Sequence, residues 1–189
     1  MTKNRAFLLL TLLAFLTLTG CTGAMRLAKY RATPLPRLEQ NFHVQEIVIL
    51  DKRINASNQE MELPFFSFPN MYSKHVPELT GEHKNLFETL IRENTTGTGQ
   101  SVKGVIIIEE AYKEFSATWA SEKERGFAKL KVAFYSSETN QLVAEATASG
   151  DFFLKSIHAT TPKMEKVYQL ALRNVLYECL KLISQQSNK

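Results

Sequence analysis

Gly104-Val105-Ile106-Ile107-Ile108-Glu109-Glu110-Ala111-Tyr112 is the stretch that decides the fold. Val105 to Ile108 is a continuous β-branched apolar run, the pattern of a central strand covered on both faces. The strand is expected to continue, with a twist or bulge, towards Trp119. Downstream, Ser121 to Gly126 reads as a charged turn. Ala128, Leu130, Val132 and Phe134 then alternate with Lys129, Lys131, Ala133 and Tyr135, the two-residue period of a half-exposed antiparallel strand. Ser136 to Asn140 turns the chain, and Gln141 to Phe153 gives another strand, whose Ala144, Ala146 and Ala148 let a helix lie close. The three strands make a meander.

Upstream, Phe42 to Leu50 reads as the first strand. Its second half is apolar on both faces, so it is expected in the sheet interior. Thr80 or Gly81 opens a helix to Glu93, with Leu86, Phe87, Leu90 and Ile91 on one face, and Asn94 to Gln100 ends it as a Gly-rich turn. Met164 to Ser184 is the longest helix, with Val167, Tyr168, Ala171, Leu172, Val175, Leu176, Cys179, Leu180 and Ile183 at spacings of three and four. The expected class is α+β, a mainly antiparallel sheet in the order β-α-β-β-β-α with two helices packed on it.

Residues 52–80 fit no regular element. Pro64, Pro69 and Pro77 break any long run, yet Met61, Leu63, Phe65, Phe66, Phe68, Met71 and Tyr72 make the segment strongly apolar. Two readings stand: an irregular arm folded over the core, or an exposed aromatic surface for a partner or lipid, carried by Phe65, Phe66, Phe68, Met71 and Tyr72. Trp119 is similarly open between a surface anchor and a core or sheet-edge residue.

The N-terminus carries an address. Lys3 and Arg5 precede an apolar run from Ala6 to Leu18, interrupted only by Thr11 and Thr17. That run is shorter than the ~20 residues a membrane-spanning helix needs. It closes on Leu18-Thr19-Gly20-Cys21, which resembles the lipobox of bacterial lipoprotein precursors. The resemblance implies cleavage after residue 20 and acylation of Cys21 on its thiol and amine, a stable anchor because several chains insert. Thr22 in place of Asp implies, by the same resemblance, sorting to the outer membrane. The expected organisation is a signal peptide over 1–20, a lipidated Cys and flexible tether over 21–41, and a single periplasmic domain over 42–189.

The formal charge of +4 does not describe that domain. Lys3 and Arg5 leave with the signal peptide, and Arg26, Lys29, Arg31 and Arg37 against Glu39 put +3 in residues 22–40. The remainder is about −1. No nucleic-acid partner is expected. With Cys21 acylated, Cys179 has no cysteine to pair with, and its helical neighbours read as a buried setting.

The order of elements behind the lipobox resembles small Gram-negative lipoproteins, with the YajG-type outer-membrane lipoproteins closest in layout and the auxiliary lipoproteins of lipid-trafficking ABC transporters sharing much of it. The resemblance covers residues 42–184 and implies a non-enzymatic binding or assembly component.

Catalytic patterns are missing. His43, His75, His83 and His158 show no HxxxH or HExxH spacing, and there is no phosphate-binding Gly loop or GxSxG elbow. Glu109 and Glu110, adjacent on a strand, point to opposite faces. Asp151 with Lys155 and His158 is the nearest approach to a polar cluster and reads as a solvated loop. No cofactor or metal is expected. The expected function is a lipid-anchored adaptor or assembly component of an envelope complex, facing the periplasm from the outer membrane and not an enzyme, with an envelope protein as partner and the 61–72 segment and an edge of the meander as contact surfaces. The alternative is an accessory lipid- or glycan-binding lipoprotein of a transport system.

Overall fold

The computed structural model describes residues 35–64, 68–119, 121–156 and 159–187. The signal peptide, Cys21 and most of the tether lie outside the described residues. The domain forms one unit, Pro36–Lys189.

Its architecture is α+β. Five strands, β1 (Gln40–Asp51), β2 (Tyr72–His75), β3 (Thr95–Ala117), β4 (Glu122–Ser136) and β5 (Leu142–Ser156), join two helices, α1 (Gly81–Glu93) and α2 (Thr161–Ser187). β3, β4 and β5 are the expected antiparallel meander, and β1 lies parallel to β3 on the other side. The order is β1-β3-β4-β5. β2 pairs antiparallel with the far part of β3, on the strand edge that β1 leaves free beyond Ile108.

β1 is therefore an edge strand, not the interior strand that its apolar second half suggests. Phe42 and Val44 are buried, but Ile47, Val48 and Ile49 are only half-buried and Leu50 is 43% exposed. Periodicity reports which residues prefer to leave water and does not say whether a neighbour exists to cover them.

Burial alternates along β3 and changes phase at Glu109 and Glu110: Val102, Ile106 and Ile108 are buried before them, Ala111, Lys113 and Phe115 after. The register against β4 shifts at the same place. This is a β-bulge, in which an extra residue breaks the alternation. Neither glutamate is buried, so the opposite-face reading gives way to one in which both stay out of the core.

The expected charged turn at 121–126 is strand from Glu122 onward. β3 and β4 join through Thr118 to Ser121, and Glu122 and Glu124 are buried on the helix side. Gly126 is no turn residue either. A Cβ there would stand 2.7 Å from Tyr168 Cα and 2.8 Å from Val167 O, so the missing side chain is what lets α2 lie on β4. Leu130, Val132, Leu172, Leu176 and Leu180 complete the buried layer between α2 and the sheet. Cys179 sits in it, its Sγ 3.4 Å from Leu130 O, and burial pushes its thiol up to about 12.

The domain also takes in residues expected in the tether. Tyr177 donates to Pro36 O at 2.8 Å, Leu38 N donates to Asn94 Oδ1 at 3.1 Å, and Gln40 Nε2 donates to Leu180 O at 2.5 Å. Asn94, far from a solvated turn residue, is buried and ties α1 to this entering segment through Leu90 O at 2.8 Å.

Candidate partner-binding face

Both helices cover one face of the sheet, and among the described residues no helix covers the other. Its half beside the β3–β4 turn is built from three cross-strand rows: Tyr72, Ser116, Lys123 and Lys155; Lys74, Glu114, Arg125 and Phe153; and Tyr112, Phe127 and Asp151. Long side chains reach diagonally between rows. Lys74 Nζ lies 3.7 Å from the Tyr112 ring centroid and Lys123 Nζ 4.6 Å from that of Phe153. Tyr112 and Phe127 stack at 5.0 Å with 22° between planes.

Arg125 is the hub. It meets Asp151 at 2.8 Å and Glu114 at 3.4 Å, and lies 5.7 Å from the Phe127 centroid. Burial opposes its charge, but Tyr112, Glu114 and Asp151 outweigh it and hold the guanidinium pKa above its usual value. Burial raises the Tyr112 phenol as well, so that ring stays neutral. Asp151 thus belongs to strand β5 and an ion-pair network, not to the solvated loop expected of it; Lys155 is exposed two rows further out, and His158 lies outside the described residues.

The turn end carries the exposed aromatic residues. Trp119 is 90% exposed, Phe68 67% and Tyr72 62%. Asn70 N donates to Ala117 O and Ala117 N to Met71 O, both at 3.0 Å, which fixes the 68–72 segment beside the end of β3. Of the five residues expected to bind a partner, Phe68 and Tyr72 are exposed there. Met71 instead packs towards Met61, Phe115, Ala117 and Met164. Phe65 and Phe66 lie outside the described residues. Trp119 is the residue that the reading of 61–72 alone leaves out; its place in the shortest turn of the meander is the signal.

Behind the sheet, a cleft of about 470 Å³ opens between the 57–63 segment, β2 and the first turns of both helices. Thr80 caps α1, and its backbone N–H donates to His83 Nδ1 at 3.2 Å. With Nδ1 accepting, Nε2 holds the ring proton and donates to Glu165 Oε1 at 2.8 Å. Lys113 pairs with the other Glu165 oxygen. Burial would raise the Glu165 carboxyl, but the His83 and Lys113 hydrogen bonds overcome it and lower the pKa to about 2. His75, on the cleft wall, is held below its usual pKa by burial and by the Lys113 charge. Among the described residues no group of three or more His, Cys, Asp or Glu could hold a metal ion, and no helix is long and apolar enough to cross a membrane.

No family model matches the chain, and no curated protein sequence does. Solved structures similar to it include a Xanthomonas campestris protein of the DUF330 family, 16% identical, with a TM-score of 0.49 over 82% of this chain and 92% of that one. They also include a minor lipoprotein from Acinetobacter baumannii, 6% identical, with a TM-score of 0.42 over 76% of this chain and 92% of that one.

Proposed function

We propose that the chain is a lipoprotein of the bacterial envelope, anchored in the outer membrane through acylated Cys21 and facing the periplasm, where it acts as a non-enzymatic adaptor. The anchor rests on the lipobox at residues 18–21. The observation that carries the adaptor reading is the placement of two ends. Pro36, where the chain enters the domain, bonds Tyr177 late in α2, beside the start of β1 and β3. Trp119, Phe68 and Tyr72 crowd the other end of β3, with the run from Val102 to Ala117 alone spanning on the order of 50 Å at ~3.3 Å per strand residue. The adaptor presents its aromatic end away from the point of attachment. Exposed aromatic side chains beside an arginine are what a protein interface uses as anchors.

The test is retention of the partner. Acylated full chain is purified from cells in mild detergent with its bound envelope protein, and compared with a triple variant carrying Trp119→Ser, Tyr72→Ser and Phe68→Ser. The partner is lost and the melting temperature is unchanged if the aromatic end is the docking surface. Retention of the partner by the triple variant contradicts it.

The cleft favours a second reading, an accessory that handles lipid or glycan. Its volume is within the range of small-molecule sites, and Met61, Leu63, Leu79 and Met164 supply apolar lining around the Lys113–Glu165 pair. Copurified lipid or glycan that disappears on Leu63→Asn would support this reading.

A further inference from the structure

We propose that a second copy of this chain pairs on the outer edge of β1, antiparallel, across a two-fold axis at Ile49. β1 and β5 are the long edges of the sheet, with short β2 continuing the β1 side along β3, and the two differ in how they meet water. Along the open face of β5 run Glu145, Thr147, Ser149, Asp151, Phe153 and Lys155, polar or charged at every alternate position but Phe153. This is the usual protection of an edge against strand addition. Along β1, Ile47-Val48-Ile49-Leu50 has no charge and no proline. Ile54, three residues beyond the end of β1, is 81% exposed. The first half of β1 is shielded: two register shifts bend it, and Arg92 reaches Val44 O at 3.4 Å. From Ile47 onward the register with β3 is regular, and among the described residues no strand pairs with the outer side.

A long apolar edge can take any strand, and charge selects the second copy. In a two-fold antiparallel pair the residue at the axis faces itself and its neighbours pair symmetrically. An axis at Ile49 sets Val48 against Leu50 and Glu46 against Lys52. Moving it to Val48 sets Glu46 against Leu50, and moving it to Leu50 sets Lys52 against Val48. Only the Ile49 axis matches apolar with apolar and acid with base. It also sets Ile47 against Asp51, whose carboxylate is already held by Arg53 at 2.7 Å. Glu46, Val48, Leu50 and Lys52 share the open face, where Glu46 meets Lys103 at 3.0 Å. The aromatic ends remain uncovered, so this contact is independent of the adaptor reading.

The experiment is disulfide trapping of the full chain in membranes of the producing cells. Ile49→Cys, oxidised with copper phenanthroline, should run at twice the chain mass without reductant, while Thr147→Cys on the β5 edge should not. Glu46→Lys or Lys52→Glu should each lower the dimer yield severalfold, and the double reversal should restore it. No dimer from Ile49→Cys, a dimer indifferent to both reversals, or a crosslink to a different protein overturns the proposal. Sedimentation equilibrium of the unsubstituted chain in density-matched detergent covers a variant that fails to fold: two chains per particle are expected, and one chain contradicts the proposal.

Discussion

The Arg53 guanidinium stands 2.9 Å from the Tyr168 hydroxyl, joining the end of β1 to α2 through the break between β1 and β2 along β3. Its Nη1 also donates to Ala111 O at 3.3 Å, inside that break, and Nε and Nη2 clamp Asp51 at 2.8 and 2.7 Å. The side chain is almost wholly buried. One planar fork therefore satisfies a gap in the sheet, an acid and a phenol. Arg53→Ala should cost about 2–4 kcal/mol, since it leaves Asp51 without its partner and a buried carbonyl without a donor. Arg53→Lys should recover only part, because an ammonium cannot reproduce the fork. Chemical denaturation of the three proteins checks both.

Gly126 is set by the approach of α2 to β4. Gly126→Ala should lower stability by about 1–3 kcal/mol, the range for overpacking a tight contact. Gly150, where a Cβ would lie 3.4 Å from a Val175 methyl, provides the contrast and should tolerate alanine far better. Equal losses at the two positions would contradict the helix-contact account.

The Glu165 carboxylate gives the fold a pH dependence of known sign. Its folded pKa of about 2 lies well below the ordinary glutamate value of 4.5. Its contribution is therefore full above the unfolded pKa and falls away as pH drops from about 4.5 towards 2. Glu165 is part exposed, so Glu165→Gln should cost only about 1–2 kcal/mol at pH 7 after allowance for solvent. Urea titrations between pH 7 and pH 3 should show the gap between the two proteins narrowing on the acid side. A gap that stays constant across that range would contradict the assignment.

Cys179 offers a thiol count. Buried in the α2–sheet layer, with its pKa pushed up to about 12, it should resist iodoacetamide in the folded protein and react after unfolding. Mass spectrometry of mature chain should find no modified thiol when native and one when denatured. Two after denaturation would mean that Cys21 carries no acyl group.

The meander, both helices and the buried setting of Cys179 were legible because each shows an uninterrupted period. Ala128, Leu130, Val132 and Phe134 alternate, and Val167 to Ile183 recur every three or four residues, because one face of each element is covered. Three features were not. Tyr72-Ser73-Lys74-His75 is a strand by virtue of pairing with Lys113 to Ser116, and four residues of mixed polarity carry no period of their own. Glu122 and Glu124 look like turn residues, yet the turn is two residues earlier and both carboxylates are inside. Ile47 to Leu50 look interior although they form an edge, because apolarity does not distinguish a covered strand from one awaiting a partner.

The candidate site divides the same way. Phe68 and Tyr72 could be selected by composition alone, whereas the rows beside Tyr72 that hold Lys123, Arg125, Phe127 and Phe153 join residues up to 83 apart, Tyr72 to Lys155, and exist only once the register is set.

The measurement that tests the adaptor most directly is in-cell photo-crosslinking of the full chain from a benzoylphenylalanine at position 119, with the same probe at Glu178 on the exposed side of α2 as control. The account predicts one dominant envelope-protein adduct from position 119 and none from position 178. Lipid adducts alone from position 119, or no adduct there, would contradict it.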